Sequence, residues 1–341
     1  MTVYYDSHGL CTISSNVNLD RFLYSFKTKN TYPRCSIEVV VDSVTSRKGN
    51  TKMGIMFSYD EARDELFFEY PWIVPLRSRL ANITGPNTAL LVTPTYRMMT
   101  ELLGLGFDLG HVLEAIIQVK LLKAGFSLVH GACVDYKGTG VLLPAFANTG
   151  KTRTSLGLCR GFGFMFLSDD TTLVDGEAKA LSYAGLTNLT KETVKSLGGA
   201  GLTAGENISL NGKTLLAKFL TTRFVQPGIY VPPEKLIGKV TESARVGLVC
   251  FLEKGKDQVR EVGPSEAISK MLSINRREIP WSDNPYLQAY AYAAPDFDLL
   301  ALMHDEERIV GDFLRRTKRC YVVSSNSSHS KLVGDLVSRE H

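Results

Sequence analysis

The sequence lacks paired cysteines, long apolar runs and any marked excess of one charge. Its six cysteines (Cys11, Cys35, Cys133, Cys159, Cys250, Cys320) lie far apart, with no Cys-x-x-Cys pair and no clustering with histidines into a metal-ligand set. This excludes a zinc ribbon or a disulfide scaffold; the cysteines read as reduced thiols, mostly in the core. No apolar run approaches the roughly 18 residues of a membrane span, and the opening MTVYYDSHGL has neither the basic nor the apolar segment of a signal peptide. The expectation is a cytoplasmic chain with no membrane partner, where the sequon Asn82-Ile83-Thr84 carries no meaning. Basic and acidic residues nearly cancel, 39 against 35. That balance leaves no electrostatic footprint for DNA or RNA, so nucleic acid is not an expected partner.

What is present is ordinary globular composition: 341 residues, 44% hydrophobic and 22% charged, long enough for two compact domains. From Cys35 to about Met99 the chain reads as strands, at Ile37–Val41, Met53–Phe57, Leu66–Tyr70 and Ala89–Val92, separated by Gly, Pro, Asn and Asp. From Leu109 to Ala124 the apolar residues Val112, Leu113, Ile116, Ile117, Val119 and Leu121 fit a helix closed by Gly125. A boundary near residue 100 would separate a β-rich N-terminal domain, 1–100, suited to acceptor recognition, from an α/β domain, 101–341.

Beyond Gly125 short apolar strands alternate with helices. Val129–Val134 and Gly140–Leu143 read as strands joined by a Lys137-Gly138 turn, Lys151–Arg160 as a helix, and Phe164–Leu167 as a strand ending in Ser168-Asp169-Asp170. Further on, Val246–Leu252 reads as a buried strand and Pro264–Ile274 as a helix with Ser265 a plausible cap. Asp305–Arg315 reads as another helix and Cys320–Val323 as a final strand.

The most informative stretch is Ala145-Phe146-Ala147-Asn148-Thr149-Gly150-Lys151-Thr152, between a strand and a helix as a phosphate-binding loop must be. It is a degenerate Walker A sequence with Ala145 where the first Gly belongs. In such a loop backbone N–H groups and the helix N-terminus face the phosphates, a Lys reaches their oxygens, and the next hydroxyl ligates Mg²⁺. A bare Gly-Lys-Thr also suits an ordinary helix start. Asp169-Asp170, 18 residues after Lys151, raises the weight of the phosphate reading. One carboxylate there can hold Mg²⁺ while the other takes a proton from an attacking hydroxyl. His130, at the end of an apolar strand before Gly131, is a third element, although a lone histidine so placed is more often a packed imidazole.

The run from Leu128-Val129-His130-Gly131 through Gly140-Val141-Leu142-Leu143 and Gly150-Lys151-Thr152 to Phe166-Leu167-Ser168-Asp169-Asp170 resembles the catalytic domain of HPr kinase/phosphorylase. The segment Arg245–Gly255 followed by Pro264-Ser265-Glu266-Ala267 also looks like that family, so the resemblance covers about residues 105–335. It implies an α/β fold with the nucleotide-binding core shared with phosphoenolpyruvate carboxykinase, preceded here by a β-rich unit unlike the HPr kinase N-terminal domain. It further implies that residues 145–151 and the Lys151 ammonium bind ATP phosphates and that Thr152 with Asp169 holds Mg²⁺. Asp170 is then the general base, and His130 contacts the transferring phosphate or adjusts the base. Asn148 stands where the family has glycine and tolerates the left-handed backbone such a loop needs. A homo-oligomer is expected from the resemblance alone.

Three functions follow from these residues. The first is an ATP-dependent kinase acting on a hydroxyl of a protein serine or a small molecule. The second is a nucleotide-binding regulatory protein without catalysis. The third, ranked lowest, is a carboxykinase using Arg223, Arg245, Arg276 and Arg277 for a dicarboxylate. Acceptor specificity is expected in the N-terminal unit and between residues 185 and 245. The basic run Arg315–Arg319 reads as a solvated helix end, and Trp281, Tyr286, Tyr290 and Tyr292 read as packing rather than as a ligand pocket.

Overall fold

The computed structural model describes residues 2–44, 49–71, 75–103, 108–183, 185–196, 202–219 and 228–340. In chain order the first strands are β1 (Val3–Ser7), β2 (Cys11–Ser15), β3 (Lys27–Thr28), β4 (Ile37–Val41), β5 (Thr51–Met53), β6 (Phe57–Asp60), β7 (Glu65–Tyr70), β8 (Leu76–Ala81) and β9 (Thr88–Val92). Helix α1 (Asp20–Leu23) lies among them, and α2 (Pro94–Leu103) and α3 (Leu109–Lys123) follow. Next come β10 (Phe126–Tyr136), β11 (Thr139–Pro144), α4 (Lys151–Gly161), β12 (Met165–Ser168), β13 (Thr171–Asp175), β14 (Lys179–Tyr183) and β15 (Thr187–Leu189). Helices α5 (Lys191–Ser196) and α6 (Ala204–Phe219), β16 (Ile229–Val231) and α7 (Pro233–Leu236) lead to β17 (Ser243–Glu253) and β18 (Gln258–Val262). The chain closes with α8 (Pro264–Glu278), α9 (Pro285–Ala293), α10 (Leu299–Arg316), β19 (Arg319–Ser324) and α11 (His329–Glu340). The protein is thus a mixed α/β chain with several sheets. No helix among the described residues is long and apolar enough to cross a membrane.

Two compact units divide the chain: Met1–Asp20, Phe26–Ala124 and Pro280–His304 form one, and Arg21–Ser25, Gly125–Ile279 and Asp305–His341 the other. This differs from a single cut near residue 100, for two packing reasons. Helix α3 belongs with the first unit, where the Lys120 ammonium donates to the Ile83 and Gly85 carbonyls. Residues 280–304 return to it as well, because Tyr286 and Tyr290 of α9 pack their rings against Phe57, Phe68 and Tyr59. A boundary drawn along the sequence cannot register a chain that leaves the unit at Ala124 and comes back at Pro280.

The first unit is built on a nine-stranded sheet in the order β3-β1-β2-β4-β9-β8-β7-β6-β5. Its buried side chains include Tyr5, Ile13, Ile37, Leu66, Phe68 and Leu80. The expected strand Met53–Phe57 is instead a turn between β5 and β6, with Gly54 at φ 61° and Ile55 turned outward. Trp281, Tyr286 and Tyr290 are buried and Tyr286 Oη bonds Ser78 Oγ, which agrees with packing as their role, whereas Tyr292 is exposed and does not pack.

In the second unit β10 is buried along nearly its whole length, its polar residues Ser127, His130 and Asp135 included, as in a strand covered on both faces. It forms a tight hairpin with β11 through Lys137 (φ 51°) and Gly138 (φ 87°), the two left-handed residues that a two-residue turn requires. Residues Phe126–His130 pair with β13, while Gly131–Tyr136 pair with β11. The strand therefore changes partners between His130 and Gly131. The order β11-β10-β13-β14-β17 closes through a β11–β17 pairing, with β19 and β18 continuing beyond β17 and β12 lying on β10. Helix α8 begins at Pro264 with Gly263 as its N-cap, so Ser265 lies inside the helix and does not cap it.

The close approach of the β11 backbone explains Gly131. A Cβ at this position would lie 3.1 Å from Pro144 Cα, 3.2 Å from Pro144 N and 3.3 Å from Leu143 C, all of them backbone atoms. Gly131→Ala should therefore push β10 from β11 at the base of the phosphate loop and cost about 1–2 kcal/mol of stability. An unchanged urea midpoint would show that the approach has room to relax.

Candidate functional site

The site grows from four pieces of the second unit. The first is the loop 145–150, from the end of β11 to α4. Asn148 has φ 61°, the left-handed conformation expected of it, and Gly150 caps α4 at φ 109°. The Gly150 side offers no capping group, so the first N–H groups of α4 remain available to an anion. Ala145 is buried at the loop base, while Phe146, Ala147 and Asn148 are exposed.

The second piece is Lys151, the first residue of α4, only 6% exposed. Its ammonium donates to His130 Nε2 (2.6 Å) and to the Ala145 carbonyl (3.0 Å), and lies 3.6 Å from Asp170 Oδ1. Because an ammonium only donates, the imidazole accepts through Nε2 and carries its proton on Nδ1. Burial pushes the His130 pKa down and Lys151 adds to this, while Asp170 and Glu278 pull it up.

The third piece is the Asp169-Asp170 turn between β12 and β13. The pairings Cys133↔Ser168 and His130↔Thr171 keep both strands antiparallel to β10, which leaves the two aspartates opposite the point where β10 changes partners. The Thr172 hydroxyl donates to the Gly131 carbonyl across this gap. The Asp170 side chain is 73% exposed, with Oδ1 3.7 Å from His130 Nε2. Asp169 is the more enclosed of the two. Its Oδ1 is sealed from solvent without a hydrogen-bond partner, although the residue as a whole is only partly buried. Desolvation, and then the charge of Asp170, raise its pKa from 3.8 to about 7, against the hydrogen bond from Thr152 and the charge of Lys151.

A raised carboxyl pKa makes the folded state hold a proton that the unfolded chain has released. Its stabilising effect is full below about pH 4 and is lost as pH rises through about 7. With metal chelated, stability should fall by on the order of 1–3 kcal/mol between pH 5 and 8. Asp169→Asn should flatten that slope. Thermal unfolding scans across this range check it, and equal slopes in the two proteins would refute it.

The fourth piece was not legible in the sequence. Asn275 and Glu278, one turn apart at the end of α8, reach back to β10 and to the loop. Asn275 Oδ1 accepts from the His130 backbone N–H (3.0 Å), and its Nδ2 donates to the Leu128 carbonyl and to Glu306 Oε1, both at 3.2 Å. Glu278 Oε1 accepts from the Ala147 N–H (3.0 Å), and Oε2 lies 3.9 Å from His130 Nε2. The only local signal is the i, i+3 spacing of two polar groups beside Arg276-Arg277, which marks one helix face without saying what it meets.

His130, Lys151, Asp169, Asp170 and the loop 145–152 are thus brought together. Of the arginines considered for a dicarboxylate, Arg223 lies outside the described residues, Arg276 is paired with Glu307, and Arg245 stands opposite Lys179 in the β14–β17 ladder. The six cysteines are all free and, apart from the half-buried Cys159, buried; burial pushes the Cys11 and Cys159 thiols up to about 12. Among the described residues no three His, Cys, Asp or Glu side chains form a metal cage. A divalent ion beside Asp169 would accordingly take most of its ligands from phosphate and water, as Mg²⁺ commonly does.

A solved structure similar to this chain is the Hpr(Ser) kinase/phosphatase from Coxiella burnetii, at 14% identity and a TM-score of 0.23, covering 49% of this chain and 99% of that one. No protein-family model matches the chain. No curated protein matches it either.

Proposed function

We propose that this protein is an ATP-dependent kinase with an HPr kinase-like nucleotide core, transferring the γ-phosphate to a hydroxyl of a protein serine or a small molecule. The observation that carries this reading is the convergence of Lys151, His130 and Asp170 within 3.7 Å of one another at the mouth of a loop whose helix N-terminus is uncapped. Phosphoryl transfer asks a protein for positioning, charge neutralisation and one proton acceptor, and these groups match that demand.

The loop N–H groups and the start of α4 bind the polyphosphate, and the Lys151 ammonium turns from His130 toward its oxygens. Asp170, exposed on the solvent side, takes the proton of the attacking hydroxyl as the oxygen–phosphorus bond forms and the bond to ADP breaks. His130, neutral and held by Asn275, keeps Lys151 and Asp170 in register. The unpartnered Oδ1 of Asp169 and the Thr152 hydroxyl fit a divalent cation, since a cation supplies the missing partner and favours the carboxylate. Mg²⁺ bound there would neutralise phosphate charge.

The test is calorimetric titration of ATP with Mg²⁺, followed by ADP release in the presence of serine-containing peptides and small alcohols. Saturable binding with acceptor-dependent ADP release is the expected result. Absence of binding at millimolar nucleotide, in folded protein, would overturn the reading.

A further inference from the structure

Resting on the phosphate-site reading above, we infer that the Glu278 carboxylate competes with phosphate for the loop's N–H groups and thereby sets how tightly a nucleotide binds. One Glu278 oxygen takes the Ala147 N–H at 3.0 Å, and the other lies 3.9 Å from the imidazole that holds Lys151. A phosphate oxygen entering the loop seeks the same donors and carries the same sign of charge. The two anions compete for one place.

The geometry favours a side-chain exchange over a movement of the helix. Glu278 is the last residue of α8 and its side chain is 17% exposed, so one face opens to solvent. The helix itself is tied to β10 one turn earlier. Asn275, 2% exposed, bonds the His130 N–H and the Leu128 carbonyl, and its second amide proton goes to Glu306. Rotation of Glu278 thus frees the loop amide while α8 and His130 stay in place. The carboxylate left near His130 then disfavours a second anion, which makes Glu278 an affinity-setting residue rather than a catalytic one.

Glu278→Gln keeps the shape and the acceptor for Ala147 but removes the charge. A hydrogen bond to a charged group is worth more than one to a neutral group by an amount corresponding to roughly a fivefold to tenfold change in affinity. Glu278→Gln should therefore bind ATP and inorganic pyrophosphate about fivefold to tenfold more tightly than the wild type. Adenosine affinity should be unchanged, an outcome that a general loosening of the site would not produce. Glu278→Ala should shift ATP binding in the same direction, and serves if the Gln variant does not fold. Equal or weaker ATP and pyrophosphate binding in these variants would overturn the inference and leave the kinase reading standing. No ATP binding to any form, wild type included, would overturn both.

Discussion

Lys151→Ala should reduce ATP affinity by about thirtyfold or more, since truncating one partner of a buried, hydrogen-bonded charge pair costs about 2–5 kcal/mol. The ammonium donates to the Ala145 carbonyl at the loop base (3.0 Å), and it balances Asp170 at 3.6 Å. Without it, Asp170 faces the incoming phosphates uncompensated. Its stem also fills space at the base of the loop, so truncation leaves a gap. Lys151→Met separates the two effects, because it keeps the stem and removes the charge. Calorimetry should show ATP binding lost in both variants, with thermal stability closer to wild type in the Met form. ATP affinity within threefold of wild type in Lys151→Met would refute the assignment.

Asp170→Asn should lower acceptor-dependent ADP release by about 10²- to 10⁴-fold, the usual contribution of a positioned general base. ATP binding should be retained or slightly tightened, because the substitution removes a negative charge 3.6 Å from Lys151. The split between binding and turnover is the informative feature. A protein that uses nucleotide only as a regulatory signal would show the same small ADP release with or without the Asp170 carboxylate. Asp169→Asn should differ again, abolishing the dependence on Mg²⁺ rather than the proton transfer. Wild-type turnover in Asp170→Asn would remove Asp170 from the reaction.

Much of the second unit was legible from local pattern. The buried run of β10, the Lys137-Gly138 hairpin, the loop 145–150 and the helix from Lys151 depend on residues a few positions apart, and the structure places them where those residues point. Met53–Phe57 failed as a strand because Gly54 at φ 61° outweighs an apolar composition. Ser265 failed as a cap because Pro264 enters the helix at its first turn and hands the cap to Gly263. The strands β1, β2 and β8 were passed over, for their alternation is broken by polar residues whose burial is decided by neighbours in the sheet.

By itself, the sequence determined the ingredients of the site: a loop able to turn at Asn148 and Gly150, a lysine at the start of a helix, an aspartate pair after a buried strand and a histidine before a glycine. These are matters of backbone freedom and residue chemistry over short spans. Tertiary structure alone decided that His130 receives Lys151, that Asp169 hides one oxygen while Asp170 is exposed, that Glu278 closes on the loop from 131 residues away, and that Asn275 meets His130 across 145 residues. Such contacts arise when strands change partners and a helix end docks on the gap, so their energies belong to packing between distant segments and leave no mark in local periodicity.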